Sequence, residues 1–278
     1  KIKPNKIDKN DINKAISILN KLNNYSFTQG AVVRNKKLIA IEGSDGTQNL
    51  LKKFPKSRPE LSQEYKNIYK QYYALNRGVN GFANFLSQKM ESWMHKKVAA
   101  PIGKNILELG AGNLNHISYE KSYEVYDIVE PFAELYKNSS QLDLIKNVYN
   151  SIEEVSDNNR YDKIISIATL EHLVDLPKEI SICKKLLKHD GKFHVAIPCE
   201  GEFAFKLGWM LTTGLAFRLK YKLDYSKFMK YEHVNNINEI FTVLKNNFEI
   251  KKFERSPFIL PIKHLSFYAY IECALIRN

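Results

Sequence analysis

Cysteine is scarce: three occur in 278 residues, Cys183, Cys199 and Cys273. The number is odd and the positions are scattered. Neither a disulfide framework nor a zinc pattern is expected, and a reducing, cytoplasmic compartment is. No other set of metal ligands stands out. No uncharged apolar run approaches the roughly 18 residues that a membrane-spanning helix needs. The Lys-, Asn- and Asp-rich N-terminal stretch does not read as a secretory leader. Arginine is sparse as well, with only seven among 42 basic residues. Base edges and phosphate forks are read best by arginine, so a lysine excess is weak support for a nucleic-acid groove. No internal repeat is visible.

What is present excludes disorder. Hydrophobic side chains make up 44% of the chain, enough for one large core with an appendage. The net charge is +12, of which residues 1–53 carry +7, residues 54–100 carry +5 and residues 101–278 carry none. In residues 1–53, Ile7, Ile12, Ala15, Ile16 and Leu19 are spaced for a helix. Residues 29–42 read as a β-hairpin turning at 34–37. Pro55 and Pro59 mark a linker. Residues 54–100 form a helical cap, on stripes that include Leu61, Tyr65, Ile68, Tyr69, Tyr72, Phe82, Phe85, Met90, Trp93 and Met94.

From residue 101 strands alternate with helical patterns. Strands are predicted at 104–109, 124–129, 162–167, 192–197, 247–253 and 267–274. This alternation predicts an α/β fold: a Rossmann-like, doubly wound sheet, mostly parallel, with an antiparallel edge strand. The expected organisation is an appendage (1–53), the cap (54–100) and a working domain (101–278).

The segment Ile106-Leu107-Glu108-Leu109-Gly110-Ala111-Gly112-Asn113 carries the chemistry. A strand runs into a Gly-x-Gly turn, where missing Cβ atoms let a ligand approach, and a helix is expected to follow. Glu108, at the strand end, disfavours a pyrophosphate and suits a cationic amino group. Glu130 lies 20 residues after Gly110, a spacing at which a carboxylate can accept both hydroxyls of a ribose. The dinucleotide fingerprint needs a third glycine at 115, which is Asn115, so a nicotinamide cofactor fits poorly.

This combination resembles the class I S-adenosylmethionine-dependent methyltransferases, over roughly residues 60–278. Tyr161–Leu173 looks like that family's fourth strand with its Glu-His-Leu continuation. Leu186–Phe193 resembles the helix, glycine turn and fifth strand, and Ile197–Gly201 the loop beyond. The resemblance implies S-adenosylmethionine as cofactor. Glu108, Gly110, Ala111 and Gly112 would line its methionine end, and Glu130 its ribose. Asn150, Ser151 and Ile152 would lie by the adenine, and Ile167, Ala168 and Thr169 would border the sulfonium. The family often has a third glycine where this chain has Leu114.

Methyl transfer from a sulfonium asks mainly for in-line positioning, and a hydroxyl acceptor is helped by a base. His172 and His233 are the candidate catalytic residues, with Glu171 and Glu200 behind them. The insertion at 203–231 has six basic residues and one acid, together with many aromatics. It lies beyond the fifth strand, where such sheets bind ligands, and reads as an acceptor lid. The expected acceptor is a small molecule, glycan or glycolipid with an anionic part, methylated on oxygen. Peripheral membrane contact is a further possibility for the lid. An RNA methyltransferase and an inactive cofactor-binding regulator are the alternatives. Tyr65, Tyr69, Tyr72, Tyr73 and Arg77 are read as a packing stripe that could also close over the cofactor. Through Gln29–Val33 and Leu38–Thr47, residues 1–53 resemble a fragment of UDP-2,3-diacylglucosamine pyrophosphatase. The likeness covers about 50 residues, implies a remnant or a fusion of neighbouring reading frames without that activity, and hints at an envelope-glycolipid context.

Overall fold

The structure, a computed structural model, describes residues 6–22, 30–34, 36–43, 46, 56, 58–68, 91–101, 103–256 and 265–276. Tyr69, Tyr72, Tyr73, Arg77, Phe82, Phe85 and Met90 of the expected cap lie outside the described residues. The chain divides into two compact units, Lys1–Lys56 and Ser57–Asn278.

In the first unit helix α1 (Lys6–Leu22) precedes a hairpin of β1 (Ala31–Arg34) and β2 (Lys37–Ile41). The hairpin pairs Ala31 with Ile41 and Arg34 with Lys37. Lys36 turns it in the left-handed region, at φ 62°, and its amide donates to the Asp11 carboxylate at 2.7 Å. Ile7, Ile12 and Ile16, the apolar stripe of α1, remain exposed.

The second unit is built on a seven-stranded sheet. Its strands are β3 (Asn105–Leu109), β4 (Val125–Val129), β5 (Asn147–Tyr149), β6 (Tyr161–Ile167), β7 (Leu187–Pro198), β8 (Phe248–Ser256) and β9 (Tyr268–Leu275). Their order is β5-β4-β3-β6-β7-β9-β8. The pairs among β3 to β7 are parallel, and β9 runs antiparallel to both β7 and β8. The reversed strand is therefore the penultimate one, with β8 at the edge. Gly191, expected as a turn before the fifth strand, instead sits inside β7. It occupies an irregularity where a Cβ would come 2.9 Å from the Tyr161 carbonyl.

Alternation along the strands sends side chains to two faces. Leu107, Leu109, Ile164, Phe193, Val195 and Ile271 join one core with Ile180, Leu186, Ile240 and Leu244 of the helices Leu176–Leu186 and Ile237–Asn247. Ile106, Ile128, Ile165, Ala196 and Tyr270 join a second core, closed by Met94 and Val98 of the helix at 91–98. This second face also carries Glu108, Tyr126, Lys163 and His194, all buried. They persist there because most have partners: Tyr126 donates to Glu108 at 2.7 Å, Lys163 meets Glu120 at 2.6 Å, and the His194 ring contacts the Tyr270 hydroxyl at 2.7 Å. No helix among the described residues is long and apolar enough to cross a membrane.

Candidate active site

Parallel strands β3 to β7 end on one edge of the sheet. The strand order reverses between β3 and β6, since β4 and β5 lie on one side of β3 and β6 and β7 on the other. Ligands of open α/β sheets bind at such a reversal. Here it brings together the loop after β3 (110–114) and the loop after β6 (168–173).

Gly110 takes φ 69°, and its amide donates to the Val129 carbonyl at 2.8 Å. A Cβ there would lie 2.2 Å from Thr169 Oγ1, so the close approach of the second loop requires glycine. The Thr169 hydroxyl in turn donates to the Ile167 carbonyl at 3.0 Å. Gly112 takes φ 55°, and among the described residues nothing lies within 4 Å of where its Cβ would be. Its amide donates to Glu130 Oε2 at 2.8 Å, and the Phe132 amide to Oε1 at 3.0 Å. The buried Glu130 carboxylate is thereby fixed, and each oxygen keeps a lone pair for a ligand hydroxyl. Glu108 is buried on the same sheet. Burial raises its pKa to about 8, against the lowering effect of the Tyr126 hydroxyl. A glycine turn, a fixed carboxylate with spare acceptor sites and a second carboxyl suit a ligand with vicinal hydroxyls and a cationic end.

The expected helix after Gly112 does not form; only a 3₁₀ turn, His116–Tyr119, follows. Leu114, at φ 66°, is left-handed, which ends any helical run before it starts. The loop therefore presents single amides and no helix terminus, and the Gly112 amide is used on Glu130. Leu114 thus takes a conformation that glycine adopts more easily, and its side chain is buried in the second core.

The remaining cofactor candidates flank this loop. Ile167 ends β6 and packs partly against the second core. Ala168 is left-handed at φ 49°, and its amide bonds the Ala196 carbonyl. Ser151 precedes a 3₁₀ turn beyond β5, and the Ile152 side chain is in the first core. The Asn150 amide is held by Glu154 at 2.8 Å.

His172 and His233, 61 positions apart in sequence, are neighbours with ring centroids 4.9 Å apart. His172 ends the 3₁₀ turn Leu170–His172. Its Nδ1 lies 2.9 Å from the Glu232 carbonyl, and His233 Nδ1 lies 3.0 Å from Glu200 Oε2. Burial lowers the pKa of His233, but the Glu200 hydrogen bond and the charges of Glu171, Glu200 and Glu232 outweigh it, and the net shift is upward. The two segments are tied by backbone: the amides of Val234 and Asn235 both donate to the Glu171 carbonyl. A capping box of Asn236 and Glu239 then starts the next helix.

Arg58 was not legible as part of this site, because it reads as linker between two prolines. Its guanidinium donates to the carbonyls of Tyr231 and Glu232, at 2.6 and 3.2 Å, and of His172 at 2.9 Å. It pins both histidine segments. Its sequence signal is faint: one of few arginines in a lysine-rich chain.

The insertion folds as Phe203–Trp209, a π-helical turn Met210–Gly214, then Leu215–Tyr221 and Ser226–Glu232. Phe217 and Phe228 pack with Leu61 and Tyr65 into a third small core. Tyr65 is thus spent on the insertion: its ring lies 5.2 Å from that of Phe228, and its hydroxyl donates to the Asp224 carbonyl at 3.1 Å. It packs on the insertion. On the outer side Phe203, Leu207, Leu211, Leu215 and Leu219 recur every four residues and are exposed, Leu219 by 75%. Lys206, Arg218, Lys220 and Lys222 accompany this stripe.

A family model described as a methyltransferase domain matches residues 80–258, and one described as the LpxI C-terminal domain matches residues 1–71. A comparison with curated proteins returns no match. Among solved structures, the N-methyltransferase NodS from Bradyrhizobium japonicum WM9 in complex with S-adenosyl-L-homocysteine is similar over 78% of this chain and 100% of its own. The TM-score is 0.51 and the identity 10%. Magnesium protoporphyrin IX methyltransferase (ChlM) from Synechocystis PCC 6803 with bound SAM is similar over 79% of this chain and 100% of its own, at TM-score 0.48 and 12% identity.

Proposed function

The chain belongs to the S-adenosylmethionine-dependent methyltransferases, and on that premise we propose that it methylates an oxygen of a small, anionic, partly apolar acceptor related to the cell envelope. The cofactor supplies an electrophilic methyl group on a sulfonium. In this reading Gly110, Ala111 and Gly112 give the cofactor its cradle, and Glu130 accepts its ribose hydroxyls. Glu108 meets its cationic amino group. Ile167 and Thr169 border the methyl-bearing end, and Ser151 and Ile152 the adenine. Positioning the acceptor in line supplies most of the rate. His172 and His233 stand beyond Thr169 on the same edge of the sheet, where one of them takes up the acceptor proton or orders the acceptor oxygen.

The observation that carries the acceptor class is the insertion. Its inner side is occupied by its own small core, while its outer side combines a leucine stripe with basic residues. Such a surface suits an amphipathic molecule with a negative group, and it allows peripheral contact with an anionic membrane. The first unit is read as an appendage with no part in the transfer.

The test is an acceptor screen with radiolabelled cofactor against fractionated glycans, lipids and RNA. Label is expected in a polar-lipid or glycan fraction as a base-stable methyl ether. Transfer falls at least tenfold when Lys206, Arg218, Lys220 and Lys222 are changed together to Gln. Label in RNA alone, or transfer indifferent to those changes, overturns the acceptor reading. Absence of transfer to every fraction, with the cofactor bound, favours the inactive regulator.

A further inference from the structure

The cluster of Glu171, His172 and His233 holds more than a proton acceptor requires. Imidazoles that bind a metal are as a rule anchored through their other ring nitrogen. Both imidazoles here are anchored in that way. His172 Nδ1 faces the Glu232 carbonyl at 2.9 Å. A carbonyl can only accept, so Nδ1 carries the proton and Nε2 presents a lone pair. The Glu200 carboxylate, 3.0 Å from His233 Nδ1, imposes the same tautomer there. Between them is the Glu171 carboxylate, 1% exposed. Its Oε2 has no hydrogen-bond partner among the described residues, and Oε1 lies 3.9 Å from His172 Nε2. One donor atom from each of the three residues lies within 4.8 Å of the others. A buried carboxylate oxygen left unpartnered is costly. Two imidazoles and a buried carboxylate gathered this closely, with one carboxylate oxygen unpartnered, are what a cation would satisfy.

We propose that Glu171, His172 and His233 bind one divalent transition-metal ion, with Glu200 and the Glu232 carbonyl orienting the two imidazoles. Two imidazoles and a carboxylate suit Zn²⁺ or Mn²⁺, and three protein ligands leave coordination positions open. Ligand distances near 2.1 Å ask the donor atoms to close to roughly 3–3.5 Å of one another, a matter of side-chain rotation. Arg58 holds the backbone of both histidine segments at three carbonyls, so only side chains need move when the ion arrives. The ion would stand on the acceptor side, and that placement alone rests on the methyl-transfer reading above. The site itself rests on the contacts.

The test uses the full chain, stripped with chelator and titrated separately with Zn²⁺ and Mn²⁺ by calorimetry. One ion per chain, bound at micromolar or tighter concentration, is expected. His172→Ala and His233→Ala should each weaken binding by roughly 100-fold and Glu200→Gln by roughly tenfold. His189→Ala, an exposed histidine beside Asp190, should leave binding unchanged. Should the variants fold poorly, the unmodified protein still decides. Electron spin-echo spectroscopy of bound Mn²⁺ is expected to show imidazole nitrogen coupling, and its absence overturns the site. So does affinity weaker than millimolar, or binding that survives the double histidine variant in a protein that still melts cooperatively. Neither cofactor nor acceptor is present in these measurements. Their failure overturns the ion site alone, and a failed acceptor screen overturns the acceptor reading alone.

Discussion

Cofactor binding should expel a proton from Glu108. The carboxyl is buried on the central strand, and burial raises its pKa from 4.5 to about 8. At about 1.4 kcal/mol per unit, its ionised form is roughly 5 kcal/mol less favourable in the folded, cofactor-free protein than in the unfolded chain. The folded value lies above the unfolded one. Its contribution to stability is therefore fully present below pH 4.5 and is lost as the pH climbs to about 8. At pH 7 about nine in ten cofactor-free molecules hold the proton. A cationic amino group seated beside Glu108 reverses the preference, because the charge it brings stabilises the carboxylate. The amino group of the cofactor, with an ordinary α-amino pKa near 7.8, takes up about 0.1 proton on being fixed as a cation. The balance is a release of roughly 0.8 proton per cofactor bound at pH 7. Calorimetry in phosphate and in Tris measures it, since the observed enthalpy changes with buffer ionisation enthalpy in proportion to the protons exchanged. Glu108→Gln should abolish the release and leave an uptake of about 0.1. A release near zero in the unaltered protein, or equal release in the variant, refutes the role given to Glu108.

Three further outcomes follow from the same geometry. Glu130→Ala removes the acceptor for two ribose hydroxyls and frees the Gly112 and Phe132 amides; cofactor affinity should fall by roughly 30- to 100-fold, and a change under threefold in calorimetry counts against it. Leu114→Gly should cost less stability in denaturant melts than Leu114→Ala. Both lose the buried side chain, but only glycine escapes a left-handed penalty of about 1 kcal/mol, and the reverse order refutes the strain. Arg58→Ala strands three carbonyls and should cost about 2–3 kcal/mol in unfolding and most of the methyl transfer, with cofactor affinity within about twofold. An equal loss of cofactor affinity would show that Arg58 supports the whole edge of the sheet.

Much of the fold is legible because it rests on short-range pattern. The apolar runs at 106–109 and 164–167 are buried strands, and glycines 110 and 112 mark the turn between strand and ligand. Glu130 ends its strand at the spacing that brings it under Gly112. The helix expected after the glycines fails for a local reason that the apolar rhythm does not register, the left-handed Leu114. That Tyr65 packs is legible, but which surface it covers is not, because that depends on where residues 217–228 fold back.

The sequence by itself determined the working unit's class: strand–helix alternation admits few topologies, and a Gly-x-Gly turn between two carboxylates admits few ligands. The tertiary structure decided which residues share a site. His172 and His233 are 61 positions apart, and Arg58 lies more than a hundred residues from His172. Only the parallel sheet, which gathers the ends of β3, β6 and β7 on one edge, and the return of the chain after Glu232 make them neighbours. The protonated state of Glu108 belongs to that second category too. A glutamate is acidic in any sequence, and only complete burial lifts its pKa to about 8, against the lowering hydrogen bond from Tyr126.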